Sequence, residues 1–162
     1  MKNILKQIIS FILPIIVLIF VPLDIEPDKT VKSIPALTGG SLLMCLGLYI
    51  MILTISSFIK IGKGTLAPWS PTKKLVITGM YAYVRNPMIL GVIMILTGES
   101  IAISSLHIFH WDLLFFVINN VYFGFYKEPG LVHRFGDEYR EYKKNVHRWV
   151  PRLKPYKPEL TQ

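Results

Sequence analysis

Only one cysteine, Cys45, occurs in the 162 residues, so no internal disulfide and no thiol-based metal cluster is available. Charge is missing from long stretches: 17% of the residues are charged, and none of them falls between positions 37 and 59. Acids are absent from 60–86 and cations from 99–112. The chain also lacks the alternation of strands and helices, with a glycine-rich first turn, on which soluble enzymes commonly hold nucleotide-like cofactors. A sheet-based site is thereby excluded.

What is present is apolar. Hydrophobic residues make up 52% of the chain and the mean hydropathy is +0.46, yet eighteen Lys and Arg stand against ten Asp and Glu. That combination describes a membrane protein with basic flanks. A spanning helix needs about 20 mostly apolar residues. Four segments qualify: 4–23, despite Lys6 and Pro14; 37–59; 87–106, weakened by Gly98, Glu99 and Ser100; and 111–126, which is short and aromatic. The expectation is an all-α integral membrane protein with four transmembrane helices. Two N-terminal spans occupy 1–59, and residues 60–162 hold a loop, a helical hairpin and a tail.

Lys and Arg are retained on the cytoplasmic side of a membrane. The first inter-span loop, 24–36, carries Asp24, Glu26 and Asp28 against Lys29 and Lys32, whereas 60–86 carries Lys60, Lys63, Lys73, Lys74 and Arg85. Placing the second loop and the tail inside gathers sixteen of the eighteen basic residues on one side, which makes both termini cytoplasmic. The N-terminal run is longer than a signal-peptide core and has no small-residue cleavage site before Pro22, so it is expected to remain as a first span.

Any chemistry must come from the polar regions. Residues 62–71 combine two glycines, two prolines and Trp69, a rigid headgroup-level connection that would serve equally as an anchor. In the tail, Leu131, Phe135, Tyr139, Tyr142 and Val146 share a helical face among charged neighbours, the pattern of an amphipathic surface helix. The segment 79–91 sets Arg85 and Pro87 where the apolar run begins. An arginine there needs a partner or a route to water, and a proline cannot continue a helix from before it, so the segment is expected to be a site. The plainer alternative is that Arg85, Lys73 and Lys74 only set topology. Glu99 is expected in a polar turn outside the site. His107 and His110 have no thiol or carboxylate beside them to suggest a metal, and His133 and His147 are expected to be solvated.

Leu75, Val76, Gly79, Tyr81, Arg85, Asn86, Pro87 and Gly91, followed by Glu128 and then by Phe135, Gly136, Asp137, Glu138, Tyr139 and Tyr142, form a pattern that resembles the isoprenylcysteine carboxyl methyltransferase and phospholipid methyltransferase superfamily. The resemblance covers roughly 60–155. It implies an integral-membrane enzyme that binds S-adenosylmethionine in a cytoplasm-facing pocket, formed by the loop, the last helices and the C-terminal amphipathic helix, and methylates an acceptor arriving from the bilayer. Carried over residue by residue, it makes Leu75, Val76, Tyr81, Asn86, Pro87, Met88, Ile89 and Glu128 the cofactor cradle, with Arg85 and Glu128 as catalytic residues. Tyr81 and Glu128 would offset the sulfonium charge, and Arg85 would hold an anionic group.

Three positions depart from the family pattern: Asn86 stands for a histidine, Ile89 for a tyrosine and Lys127 for a glutamate. Lys127 opposes a cationic donor unless its stem snorkels outward. Two alternatives therefore remain, a non-enzymatic relative of the same fold and a small four-helix transporter. The expected partners are the bilayer and a lipid or lipidated small-molecule acceptor, with no nucleic acid and no metal.

Overall fold

The computed structural model describes residues 16–28, 30–62 and 75–158. Most of the expected first span, with Lys2 and Lys6, lies outside the described residues. So do Lys63, Lys73, Lys74 and the stretch 63–71. A π-helical turn, Ile16–Phe20, leads into the short α1 (Val21–Ile25), and then α2 (Ile34–Gly62) follows. A 3-10 turn, Gly79–Ala82, precedes α3 (Pro87–Ile103) and α4 (Leu106–Tyr122). A second π turn, Phe123–Lys127, carries α4 without a loop into α5 (Glu128–Asn145). Among the described residues there is no strand.

Two helices are long and apolar enough to cross a membrane, Ile34–Ser57 and Leu106–Asn145; Ile16–Ile25 and Pro87–Ile103 are shorter apolar helices. The core helix of a soluble protein hides its apolar side chains. Here Leu42, Tyr49 and Ile52 on α2, and Leu113, Val117 and Ile118 on α4, stand exposed, as does Cys45, and lipid is the solvent that suits such faces.

α2 and α3 run antiparallel along a seam of glycines, because two helices in lipid gain most by close approach. Gly40 faces Gly98 and Ala102, and Gly47 faces Gly91. A Cβ at Gly47 would lie 2.7 Å from the Gly91 carbonyl oxygen. This seam corrects the expectation for Glu99. Gly98 serves close packing rather than a turn, so α3 runs through Glu99 to Ile103 and Glu99 is buried within it. The turn falls instead at Ser104, which adopts φ 53° and ψ 45°. Ser105 then caps α4 by accepting a hydrogen bond from Ile108 N. The expected boundaries 106 and 111 become 103 and 106.

The amphipathic face of the tail also differs from expectation. It does not simply lie on a membrane: Tyr139, Tyr142 and Val146 are buried, with Leu75, Ile77, Leu131, Phe135 and Tyr156 packed around them. Gly136, at φ 54° and ψ −127°, breaks α5 into two pieces. That backbone conformation is open almost solely to glycine, and it turns the tyrosines toward the segment that precedes α3.

Candidate functional site

Pro87 occupies the first turn of α3, where its missing N–H costs nothing, and the residue before it is held non-helical, at φ −128° and ψ 61° for Asn86. The short approach that leaves the 3-10 turn at Ala82 and runs to Asn86 is thus irregular and has free backbone groups to satisfy. The tail satisfies them: Arg85 N donates to His147 O (3.0 Å), Arg152 N to Tyr83 O (2.9 Å) and Tyr156 N to Ala82 O (2.9 Å). Chain numbers rise on one side as they fall on the other, so the tail runs antiparallel along the approach. Gly79, at φ 63°, seats the 3-10 turn against Ser57 of α2, where a Cβ would meet Ser57 Oγ at 2.6 Å.

Glu128 arrives from the other side. The π turn Phe123–Lys127 sits directly before it, a local rewinding often found at functional sites. Glu128 points inward and is 4% exposed. Lys127 is exposed as a residue, yet its ammonium sits 4.2 Å from the centre of the buried Phe123 ring, turned onto an aromatic face and not out into water.

At the junction, one carboxylate gathers three cations. Glu128 Oε1 accepts from Arg85 Nη1 (2.8 Å), Arg148 Nε (2.8 Å) and Arg148 Nη2 (2.7 Å), while Oε2 meets Lys143 Nζ at 2.7 Å. Arg85 Nη1 also reaches the Tyr139 hydroxyl at 3.4 Å. Arg148 Nη1 and Trp149 Nε1 both donate to Asn120 Oδ1, at 2.7 and 3.3 Å. Three cations on one carboxylate leave an excess of two positive charges. Burial alone would raise the Glu128 pKa, but the Lys143 hydrogen bond and the Arg85 and Arg148 charges outweigh it and hold the carboxyl below its ordinary 4.5.

Around this cluster stand the tyrosines. Burial pushes the Tyr81 phenol up to about 12. Burial raises Tyr142 as well, and its hydroxyl donates to Tyr81 O at 2.7 Å. Tyr139 is raised first by burial and then by the Glu128 charge. Among the described residues, Arg85 Nε and Arg152 Nη1 are buried without a hydrogen-bond partner. On another flank of Glu128 lies an open, shallow cleft lined by Gly124, Pro129, Val132, His133, Arg140 and Lys143.

Arg85 and Glu128 are thus brought into contact, with Asn86 and Pro87 buried just beyond Arg85 and Met88 and Ile89 half-buried on the first turn of α3. Tyr81 joins through its carbonyl. Leu75 packs against the Tyr139–Tyr142 cluster and Val76 is buried, so these two support the site from behind. Sequence reasoning missed Lys143, Arg148, Asn120 and Trp149. A cue existed for one: Arg148 comes two residues after Val146, the last apolar position of the helical face. His147, expected to be solvated, has an exposed side chain and contributes its carbonyl.

At the far end of the bundle, Glu26 Oε2 accepts from Ser105 Oγ at 2.6 Å and faces His107 Nδ1 at 3.4 Å. His110 Nδ1 sits 2.6 Å from Leu106 O. No group of three His, Cys, Asp or Glu placed to hold a metal occurs among the described residues.

The family model of phospholipid methyltransferase matches residues 35–138, from the first turn of α2 into the second half of α5. No curated protein and no solved structure matches the chain. The matched stretch covers well over half of the sequence and includes both Arg85 and Glu128. The chain belongs to the phospholipid methyltransferase family.

Proposed function

We propose that the chain transfers a methyl group from S-adenosylmethionine to a membrane-embedded or lipid-associated acceptor, the carboxylate or amine of an amphiphile. Family membership supplies the class, methyl transfer in a membrane setting. The observation that carries the finer reading is the convergence of Arg85, Lys143 and Arg148 on the buried Glu128, beside Tyr139.

The residues suit the donor at its carboxylate end. Arg85 offers a buried Nε without a partner among the described residues, and the surplus of positive charge favours an anion there. Glu128 is already shared by three cations, so its role is to hold them in place. The faces of Tyr81, Tyr139 and Tyr142 would then meet the sulfonium charge, with Asn86, Pro87, Met88 and Ile89 closing the cradle from the first turn of α3 and Leu75 and Val76 backing it.

When bound, S-adenosylmethionine supplies an activated methyl group. In-line displacement needs little acid–base help, so the chain contributes alignment and exclusion of water. Arg85 fixes an anionic group, and the tail bonded along 82–85 covers the polar backbone on that side. The same reading takes the N-terminal apolar segment, α2, α3 and α4 as four spans with the site and both termini cytoplasmic, supported by sixteen of eighteen basic residues falling on that side. Lys127, directed to the Phe123 ring, does not oppose the donor from within the cluster.

Isothermal titration of the detergent-solubilised full chain with S-adenosylmethionine tests this. Saturable binding that is lost in Arg85→Ala is expected. Absence of any binding by the unaltered chain would leave a non-enzymatic relative of the family.

A further inference from the structure

The tail does more than bond along 82–85. After Arg148 it descends along α4: the Trp149 ring lies 5.3 Å from Phe116 and 5.8 Å from Phe123, centre to centre, and its Nε1 donates to Asn120. The ring therefore lies between Phe116 and Phe123, beside Asn120, in the last turns of α4, where Val117 and Val121 stand exposed on the face that suits lipid. A non-helical segment at that depth must have its backbone groups satisfied by protein; the bonds from Arg152 N to Tyr83 O and from Tyr156 N to Ala82 O do this.

The same bonds fix what the segment shows to its surroundings. Val150 is 65% exposed and Leu153 fully so, three positions apart on a stretch that is tied down at both ends. Lys154 and Lys157 beside them are exposed as well, and no acid lies between Val146 and Lys157. Apolar side chains held outward next to cations that form no ion pair among the described residues match the headgroup boundary of an anionic leaflet, where acyl chains take the former and phosphates the latter.

We propose that residues 149–157 dock on anionic phospholipid, with Val150 and Leu153 entering the headgroup–acyl boundary and Lys154 and Lys157 resting on lipid phosphates. This inference stands apart from the methyl-transfer reading, because it concerns which solvent the tail meets. Docking there also holds Arg148 against Glu128, since Arg148 directly precedes the docked residues.

A spin label at Leu153→Cys, in full-length protein carrying Cys45→Ser, tests the proposal after reconstitution into phosphatidylcholine vesicles with and without phosphatidylglycerol. A reference label at Asp137→Cys, on a side chain 93% exposed, reports an aqueous position. Power saturation is expected to show the 153 label more accessible to oxygen than to a water-soluble nickel chelate, with the preference growing when phosphatidylglycerol is present. Adding Lys154→Glu and Lys157→Glu is expected to remove that growth. A 153 label that behaves like the 137 label in both vesicles overturns the docking. A label immersed equally in both vesicles overturns the assignment of anionic lipid as the partner.

Discussion

Arg148 meets Glu128 through two nitrogens, Nε at 2.8 Å and Nη2 at 2.7 Å, on the same carboxylate oxygen that Arg85 reaches at 2.8 Å from the opposite side of the junction. One oxygen thus joins the approach to α3, the start of α5 and the tail.

Removing that anion is expected to be costly. Glu128→Gln leaves Arg85 and Arg148, with side chains only 10% and 21% exposed, without their counter-charge, and breaking a buried pair in this way costs roughly 3–5 kcal/mol. Thermal unfolding in detergent is expected to show the loss. Arg148→Lys keeps the charge but gives up the two-nitrogen contact, so it is expected to fall between the native chain and Glu128→Gln; a variant as stable as the native chain would show that the shared oxygen matters little.

The pH dependence follows from the depressed Glu128 pKa. Because folding lowers it, the carboxylate contributes its full stability above the ordinary value of 4.5 and loses it as pH falls below that, through the lowered value. Melting temperature measured on descending from pH 6 is expected to drop in this window, and Glu128→Gln is expected to flatten the drop.

At the alkaline limb the sign reverses. Tyr81 is raised from 10.0 to about 12 by burial, so the protonated phenol is favoured in the fold, and its contribution is complete below pH 10 and fades above it. Tyr81→Phe, followed by ultraviolet difference titration of the tyrosinates, is expected to remove a late-titrating step.

Gly136→Ala places a side chain at φ 54° and ψ −127°. Strain of roughly 1–3 kcal/mol is expected, even though nothing lies within 4 Å of the added Cβ. Equilibrium unfolding separates this from a packing effect, because a crowded site would have shown neighbours.

Gly98→Val inserts bulk into the α2–α3 seam, where even a Cβ would sit 2.6 Å from Gly40 O. The helices must part, at a cost of roughly 1–3 kcal/mol or more. Disulfide trapping between cysteines placed at positions 43 and 95 is expected to slow in this variant.

Much of this was legible from composition and period. The uncharged run 37–59 could only be a helix, and it lies within Ile34–Gly62. The spacing of Leu131, Phe135, Tyr139, Tyr142 and Val146 gave the buried face of α5, because a 3.6-residue period survives even a glycine break. Arg85 and Glu128 were legible as candidates through the family pattern. What the pattern hid was long-range. A glycine reads alike whether it bends a chain or lets two helices touch, so Gly98 looked like a turn and Glu99 looked exposed. Arg148 and Lys143 read as two more cations in a basic tail, since their shared carboxylate lies 20 and 15 residues away. Only the fold tells a solvated charge from a paired one.

The three backbone bonds from His147, Arg152 and Tyr156 to the strip before α3 carry a consequence for biogenesis. The described apolar helices leave the ribosome before these partners do, so Arg85 can already meet Glu128 while the polar backbone of 82–85 stays uncovered until translation passes Tyr156.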